Sequence, residues 1–259
     1  MWLIINHMRI EKWIKENEAK IDCHELFKEW VDMKSTHNRW REEQASVIIR
    51  ILEALEKESL TVVDLGCRAG GLSHFLLKSA KNVKIVAIDS NPFLLMIYRN
   101  HLADLCHRFR PILGDFREPE TIKAAGDFDA AVSLTSFHNL SRQNVLKVYR
   151  SLYEALPKGG IFVNGDVITL SDEWFESLDL SGRPKMQWVR TTDFWQAVKA
   201  RFGITEEVEE MLALTSFTDV PEHGYTASFY VNSLRWAGFE AAEVLFQAGN
   251  RIVYCGKKA

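Results

Sequence analysis

The sequence predicts an α/β fold in which a mostly parallel sheet is covered by helices on both faces. Three observations predict it. From Thr61 onward, short apolar runs alternate with helix-patterned stretches, and strands buried on both faces read as continuous apolar runs of this kind. The first run passes through a glycine-bearing turn, Gly66 to Gly71, straight into a helical pattern. Near the C-terminal end two more apolar runs are joined by Ala248-Gly249-Asn250, a short turn that reads as a hairpin.

The elements follow in order. The first sixty residues read as a helical arm, with Leu26, Trp30 and Met33 at helical spacing and a second face of Ile48, Ile51, Leu52 and Leu55. TVVDLG, KIVAIDS, RPILGD, FDAAVSL and GGIFVNGDV then read as five buried strands. From Ser171 to Ser228 the pattern changes to helical spacing alone, carried by Trp174, Phe175, Leu178, Phe194, Trp195, Val198, Phe202, Val208, Met211 and Leu212, which predicts a helical insertion. A helix near Tyr230 to Trp236 stops at Gly238, and the strands AAEVLFQ and RIVYCG close the chain. The expected organisation is one domain over 1–259: an arm at 1–58, a core at 59–170 and 229–259, and an insertion or lid at 171–228.

Composition narrows the function classes. With 259 residues, 47% of them hydrophobic, the chain can bury a full core. The formal net charge of -3 gives no general attraction to phosphate backbones, so nucleic acid is not the expected partner. Cys23, Cys67, Cys106 and Cys255 show no CxxC or metal-like pairing and are expected as free thiols in a reducing cytoplasm, with no metal site. The segment MWLIIN is shorter than a signal-peptide core, and no apolar run is long enough to span a membrane.

The turn after the first strand selects the cofactor class. It lacks the G-x-G-x-x-G pattern that admits a pyrophosphate. Its glycines are Gly66, Gly70 and Gly71, with Asp64 two positions before the first. A carboxylate there repels a pyrophosphate, which opposes a nicotinamide-dependent oxidoreductase, and suits a ligand with an ammonium group. S-adenosylmethionine is such a ligand. Asp89 ends the second strand, where it can accept from both ribose hydroxyls, and Gly114-Asp115-Phe116 ends the third with an acceptor for an adenine amine beside an apolar ring.

In these pieces the sequence resembles the class I S-adenosylmethionine-dependent methyltransferases: VVDLGCRAGG, VAIDSN, ILGDF, FDAAVSLTSFHNL and LPKGGIFV, with the terminal LRWAGFEAAEVLFQ and NRIVYCGKK. The resemblance implies a Rossmann-like seven-stranded sheet whose last strand is antiparallel and slots between its neighbours. It implies cofactor contacts from Asp64, Gly66, Cys67, Gly70, Asp89, Ser90, Asp115, Phe116, Ser133 and Leu134. Cys67 is expected to pack rather than react. Arg68 departs from the family, which commonly has glycine there so that the backbone can approach the cofactor.

Methyl transfer by direct in-line displacement needs alignment and a dry pocket, and a base only when the acceptor carries a proton. His138 is the best candidate base. Asp166, His223 and Tyr225 are candidates for the acceptor pocket, and His37, Arg39 and Arg41 for closing the arm over the cofactor carboxylate. The expected acceptor is a small or medium-sized organic molecule, handled by a monomer or homodimer. Two other readings stay open: an enzyme of tRNA modification, including a modified-cofactor synthase, and a non-catalytic cofactor-binding module, for which Arg68 is the best argument.

Overall fold

The computed structural model describes residues 11–172, 174–175, 191–203 and 224–259. After helical residues 11–17, the arm continues with α1 (Cys23–His37) and α2 (Arg41–Glu53). The alternating part follows as β1 (Leu60–Leu65), α3 (Gly71–Ser79), β2 (Val83–Asp89), α4 (Pro92–His101), β3 (Phe109–Leu113), α5 (Pro119–Lys123), β4 (Ala130–Leu134), α6 (Arg142–Ala155) and β5 (Ile161–Val167). Helix α7 (Thr191–Phe202) lies within the expected insertion, and α8 (Ala227–Ala237), β6 (Ala241–Ala248) and β7 (Arg251–Lys257) end the chain.

The seven strands form one sheet in the order β3-β2-β1-β4-β5-β7-β6. Pairings from β3 through β5 are parallel. β7 runs antiparallel to both β5 and β6, between which it lies, as the family resemblance implies. Parallel strands require crossovers, and these are the helices that bury both faces. Val63, Ile88, Ala131 and Phe162 meet α6 and α8 on one face, and Val62, Ile85, Val132 and Val163 meet α2 and α3 on the other.

Helix ends carry local signals. Asp22 caps α1 by accepting from the His24 and Glu25 amides, Ser141 caps α6, and Thr226 caps α8. Gly238 stops α8 at φ +118°, a left-handed conformation that glycine adopts without strain.

The arm joins the core through a third apolar cluster. Leu26, Phe27, Trp30 and Met33 of α1 pack with Phe93, Met96 and Ile97 of α4 and with Phe194 and Val198 of α7. The aromatic residues of α7 therefore serve the arm, with the Trp30 and Phe194 rings 5.3 Å apart. Trp174 and Phe175 are exposed. Leu178, Val208, Met211, Leu212 and His223 lie outside the described residues, as does the MWLIIN segment. Among the described residues no helix is long and apolar enough to cross a membrane.

Candidate active site

Every parallel strand ends on the same edge of the sheet, and a cavity of about 960 Å³ opens there. Open α/β sheets bind ligands at this edge, because the loops after the strands diverge around it. β1 delivers Gly66 and Arg68, β2 delivers Asp89, Ser90 and Asn91, and β3 delivers Asp115 and Phe116. Thr135, Ser136 and His138 follow β4, Asn250 precedes β7 and Arg251 opens it. From outside the sheet, α1 adds Trp30 and Lys34, and α7 adds Thr191 and Trp195.

The cavity wall thus brings together five of the residues assigned to the cofactor from sequence: Gly66, Asp89, Ser90, Asp115 and Phe116. Asp64, Cys67, Gly70, Ser133 and Leu134 lie behind it, all buried. The Ser133 hydroxyl donates to the Leu65 carbonyl at 2.8 Å. Gly70 sits at φ +92°, and a side chain there would strike the Tyr98 ring. At Gly66, φ +69°, a Cβ would lie 2.5 Å from Ser136 Oγ. Both positions require glycine for conformation and for space.

Asp89 is placed by the turn it organises. Its Oδ2 accepts from the Arg68 amide and its Oδ1 from the Asn91 amide, each at 2.8 Å. The Ser90 amide also bonds to this carboxylate, which keeps acceptor capacity for a ligand hydroxyl. Asp115 is gripped along both oxygens by the Arg117 guanidinium. Asp64 accepts from Ser73 Oγ at 2.6 Å. Burial pushes the Asp64 carboxyl up to about 7; the Ser73 hydrogen bond opposes this, Asp89 adds to it, and the Arg41 charge opposes it. Burial and the neighbouring Asp89 and Asp64 push the Cys67 thiol well up, so it is not a nucleophile at neutral pH.

Arg41 is a buried cation with few partners. It is only 8% exposed, and the one hydrogen bond of its guanidinium among the described residues runs from Nη1 to Thr135 Oγ1 at 3.2 Å. Burial lowers its pKa to about 10, with Arg68 adding to the drop and Asp64 opposing it, so it is cationic at neutral pH. A Cβ at Gly71, the first residue of α3, would sit 3.0 Å from the guanidinium. A buried cation with only a hydroxyl partner is costly unless an anion meets it.

On the far side of the glycine turn, His138 Nδ1 lies 2.6 Å from Asp166 Oδ1. Asp166 is fully buried and also accepts from the Phe137 and Val167 amides and from Asn164 Nδ2. Asn164 is itself tied to Tyr254, whose hydroxyl meets that of Tyr149. Burial pushes the Asp166 carboxyl up, but the His138 charge and these hydrogen bonds outweigh it and hold it below the ordinary value. An ionised carboxylate only accepts, so Nδ1 carries the proton and Nε2 is the nitrogen left to act as a base. Tyr225 is off the cavity wall: its hydroxyl donates to the Leu140 carbonyl at 2.9 Å, and its ring packs 4.4 Å from that of Phe229.

The sheet order, the acidic strand ends and the glycine turn coincide with a family match: residues 63–162 fit the model described as a methyltransferase domain. Residues 63–162 thus carry a methyltransferase domain, and the chain is similar to the class I S-adenosylmethionine-dependent methyltransferases. This methyltransferase is 23% identical over 210 residues to the tRNA N(3)-methylcytidine methyltransferase trm141 of Schizosaccharomyces pombe, covering 80% of this chain and 82% of that one. It is 29% identical over 132 residues to the 18S rRNA (guanine(1575)-N(7))-methyltransferase of Saccharomyces cerevisiae, covering 46% and 45%. Among solved structures, human N-acetylserotonin methyltransferase in complex with S-adenosylmethionine shares the fold at TM-score 0.54 and 17% identity, covering 88% of this chain and 55% of that one. The methyltransferase therefore spans under half of the rRNA enzyme and little more than half of the human structure. Two of these three relatives act on RNA by name, so the expectation that nucleic acid is no partner has no support from them.

The cofactor is S-adenosylmethionine, and the methyltransferase's own residues fit it. The buried cation of Arg41, the space that Gly66 leaves beside Phe116 and the carboxylate of Asp89 supply the charge, room and acceptor oxygens that such a group needs. Sequence reasoning left Arg68 as a departure and did not single out Thr135, Ser136 or Arg251. Arg68 adopts φ +53° and Thr135 φ +61°. The Arg68 side chain lines the cavity while its amide holds Asp89. Left-handed backbone strains any residue with a Cβ, so Arg68→Gly is expected to stabilise the fold by roughly 1 kcal/mol, raising the melting temperature by about 2–4 °C. A calorimetric scan checks it; a lowered melting temperature would mean that the side chain holds the turn together.

Proposed function

We propose that this methyltransferase acts on a small or medium-sized organic acceptor whose O–H or N–H proton is taken by His138. The observation that carries this reading is the 2.6 Å contact from His138 Nδ1 to the buried Asp166, which fixes the ring on the cavity wall with Nε2 free to accept. Asp166 positions the ring and stabilises its protonated form, and the carboxylate is in turn held by Asn164 and two amides. Hydrogen bonds of this kind keep a base in one orientation between turnovers. When bound, S-adenosylmethionine supplies a methyl group on a sulfonium, open to direct in-line displacement by an acceptor atom. In this reading Asp89 holds the ribose, Asp115 and Phe116 flank the adenine, Asp64 faces the ammonium from behind the glycine turn, and Arg41 takes the carboxylate. Trp30 and Trp195 wall the acceptor side and keep water from it.

The test is transfer of labelled methyl from S-adenosylmethionine to two sets of acceptors, a panel of phenols, amines and hydroxy acids, and purified total tRNA. Label in the small molecules supports the reading. Label only in tRNA supports a second one, RNA modification, which the match along most of the trm141 chain favours.

Asp64 makes the cofactor reading pH-dependent. Its folded pKa of about 7 lies above the unfolded value of ~4, so its contribution favours folding below that lower value and is lost as pH rises through about 7. The ligand-free protein is expected to lose stability across that window, and Asp64→Asn to flatten the loss. An ammonium partner prefers the ionised form, so affinity for S-adenosylmethionine should rise between roughly pH 6 and 8. Asp64→Ala should weaken that binding by about 1–3 kcal/mol. Titration calorimetry at several pH values checks both, and a pH-independent affinity would remove Asp64 from the site.

A further inference from the structure

Arg251 opens β7 opposite Val167 of β5 and lines the cavity. In the sheet order it stands three strands away from β1, about 14 Å at ~4.8 Å per strand. The residues proposed for adenosine follow β1, β2 and β3, so Arg251 belongs to the other half of the cavity, with Val167 and His138.

Its guanidinium is anchored along one edge only. Nε donates to Asn38 Oδ1 at 3.2 Å and Nη2 donates to the His37 carbonyl at 3.0 Å. Both acceptors are neutral. Asn38 is itself fixed, donating to the buried Gln44 at 2.6 Å, so the anchor sets the direction of the fork. The opposite edge, formed by Nη1 and the second N–H of Nη2, meets no acceptor among the described residues. That edge offers two parallel N–H groups, the geometry that matches a planar oxyanion. No carboxylate among the described residues lies within ion-pair distance of it. Burial lowers the Arg251 pKa, with Asp166 opposing.

Arg68 is set against Asp89, Arg41 against the cofactor's carboxylate, and Asp64 against its ammonium. Among the described residues Arg251 is left with no carboxylate in ion-pair contact, Asp166 acting on it only from further away. We infer that the acceptor carries a carboxylate, docked on the free edge of Arg251, with its apolar or aromatic body against Trp30 and Trp195. The atom that receives the methyl is then a separate group, held toward His138. This rests on the small-molecule reading above and narrows it to a substrate class, small aromatic or apolar carboxylic acids.

The experiment is titration calorimetry with the protein saturated with S-adenosylhomocysteine. The probes are hydroxybenzoates, hydroxycinnamates and indole acetate, each with its matched carboxamide, together with phenyl phosphate and tRNA. At least one carboxylate should bind tenfold or more tightly than its amide, and the preference should vanish in Arg251→Gln and persist in part in Arg251→Lys. Affinity for S-adenosylhomocysteine should hold in both variants, which separates this inference from the cofactor reading, and melting temperatures confirm that the variants fold. The inference is overturned if no acid outbinds its amide, if the preference survives Arg251→Gln, if only phenyl phosphate binds through Arg251, or if tRNA alone binds. The wild-type comparison of acid with amide decides the matter even if both variants unfold.

Discussion

Replacing Arg41 with glutamine is expected to weaken S-adenosylhomocysteine binding by roughly 10- to 100-fold, corresponding to the ~1.5–3 kcal/mol of a hydrogen bond to a charged group. The effect is large because the guanidinium is almost wholly buried and has one neutral partner, so the ligand's carboxylate is the interaction that offsets its desolvation. Methylthioadenosine, which keeps the adenosine and sulfur but lacks the amino acid, should bind wild type and variant almost equally. That comparison is the decisive part. If both ligands weakened together, Arg41 would be holding the arm in place rather than a carboxylate, since α2 would have shifted over the whole edge. If neither weakened, the cation would belong to another ligand. The apo protein should become more stable in the variant, because an unpaired buried charge has been removed.

Replacing His138 with alanine should lower turnover by about 10²- to 10⁴-fold, the usual contribution of a positioned base, with cofactor affinity nearly unchanged. Asp166→Asn should lower it in the same direction while the ring stays in place. Single-turnover kinetics on any acceptor found by label transfer measures both. Equal turnover in His138→Ala and wild type would mean that the acceptor reaches the site already deprotonated. The histidine would then be a wall residue. The Asp166 variant separates orientation from charge. An asparagine oxygen can still accept from Nδ1, but it does not stabilise a protonated ring as a carboxylate does.

The parallel core was legible because burial on both faces leaves continuous apolar runs: VVDL and KIVAID cannot be surface segments. Asp89, Asp115 and Phe116 were legible for a related reason. A polar residue at the end of such a run must face the cavity edge or a turn. Gly66 and Gly70 were legible as a pattern, and the structure supplies the cause in the Ser136 and Tyr98 contacts.

What escaped the sequence depends on distant chain segments meeting. Arg251 touches Asn38 across 213 positions, and Gln44 reaches Ile252 across 208. No local pattern encodes such approaches. Arg41 was one of three basic candidates for the cofactor carboxylate, and what sets it apart from His37 and Arg39 is its burial, which comes from α2 lying across the end of the sheet. The pairing of His138 with Asp166 joins the ends of two adjacent strands; both residues were singled out, but their contact follows from the sheet order and not from spacing. Tyr225 looked like a pocket residue because it follows His223 in a turn, yet its hydroxyl and ring are both used in packing. The left-handed Thr135 had no signal at all, since a β-branched residue is the last expected at φ +61°.

The central claim is that the carboxyl edge of this sheet holds the cofactor with its amino acid at Arg41 and its sulfur toward His138. A crystal structure of the S-adenosylhomocysteine complex tests it most directly. In that complex the ligand's carboxylate is expected within hydrogen-bond distance of the Arg41 guanidinium, its ribose hydroxyls on Asp89, and His138 bordering the space beside the sulfur. A ligand whose carboxylate points away from Arg41, or whose sulfur lies on the side remote from His138, would contradict it.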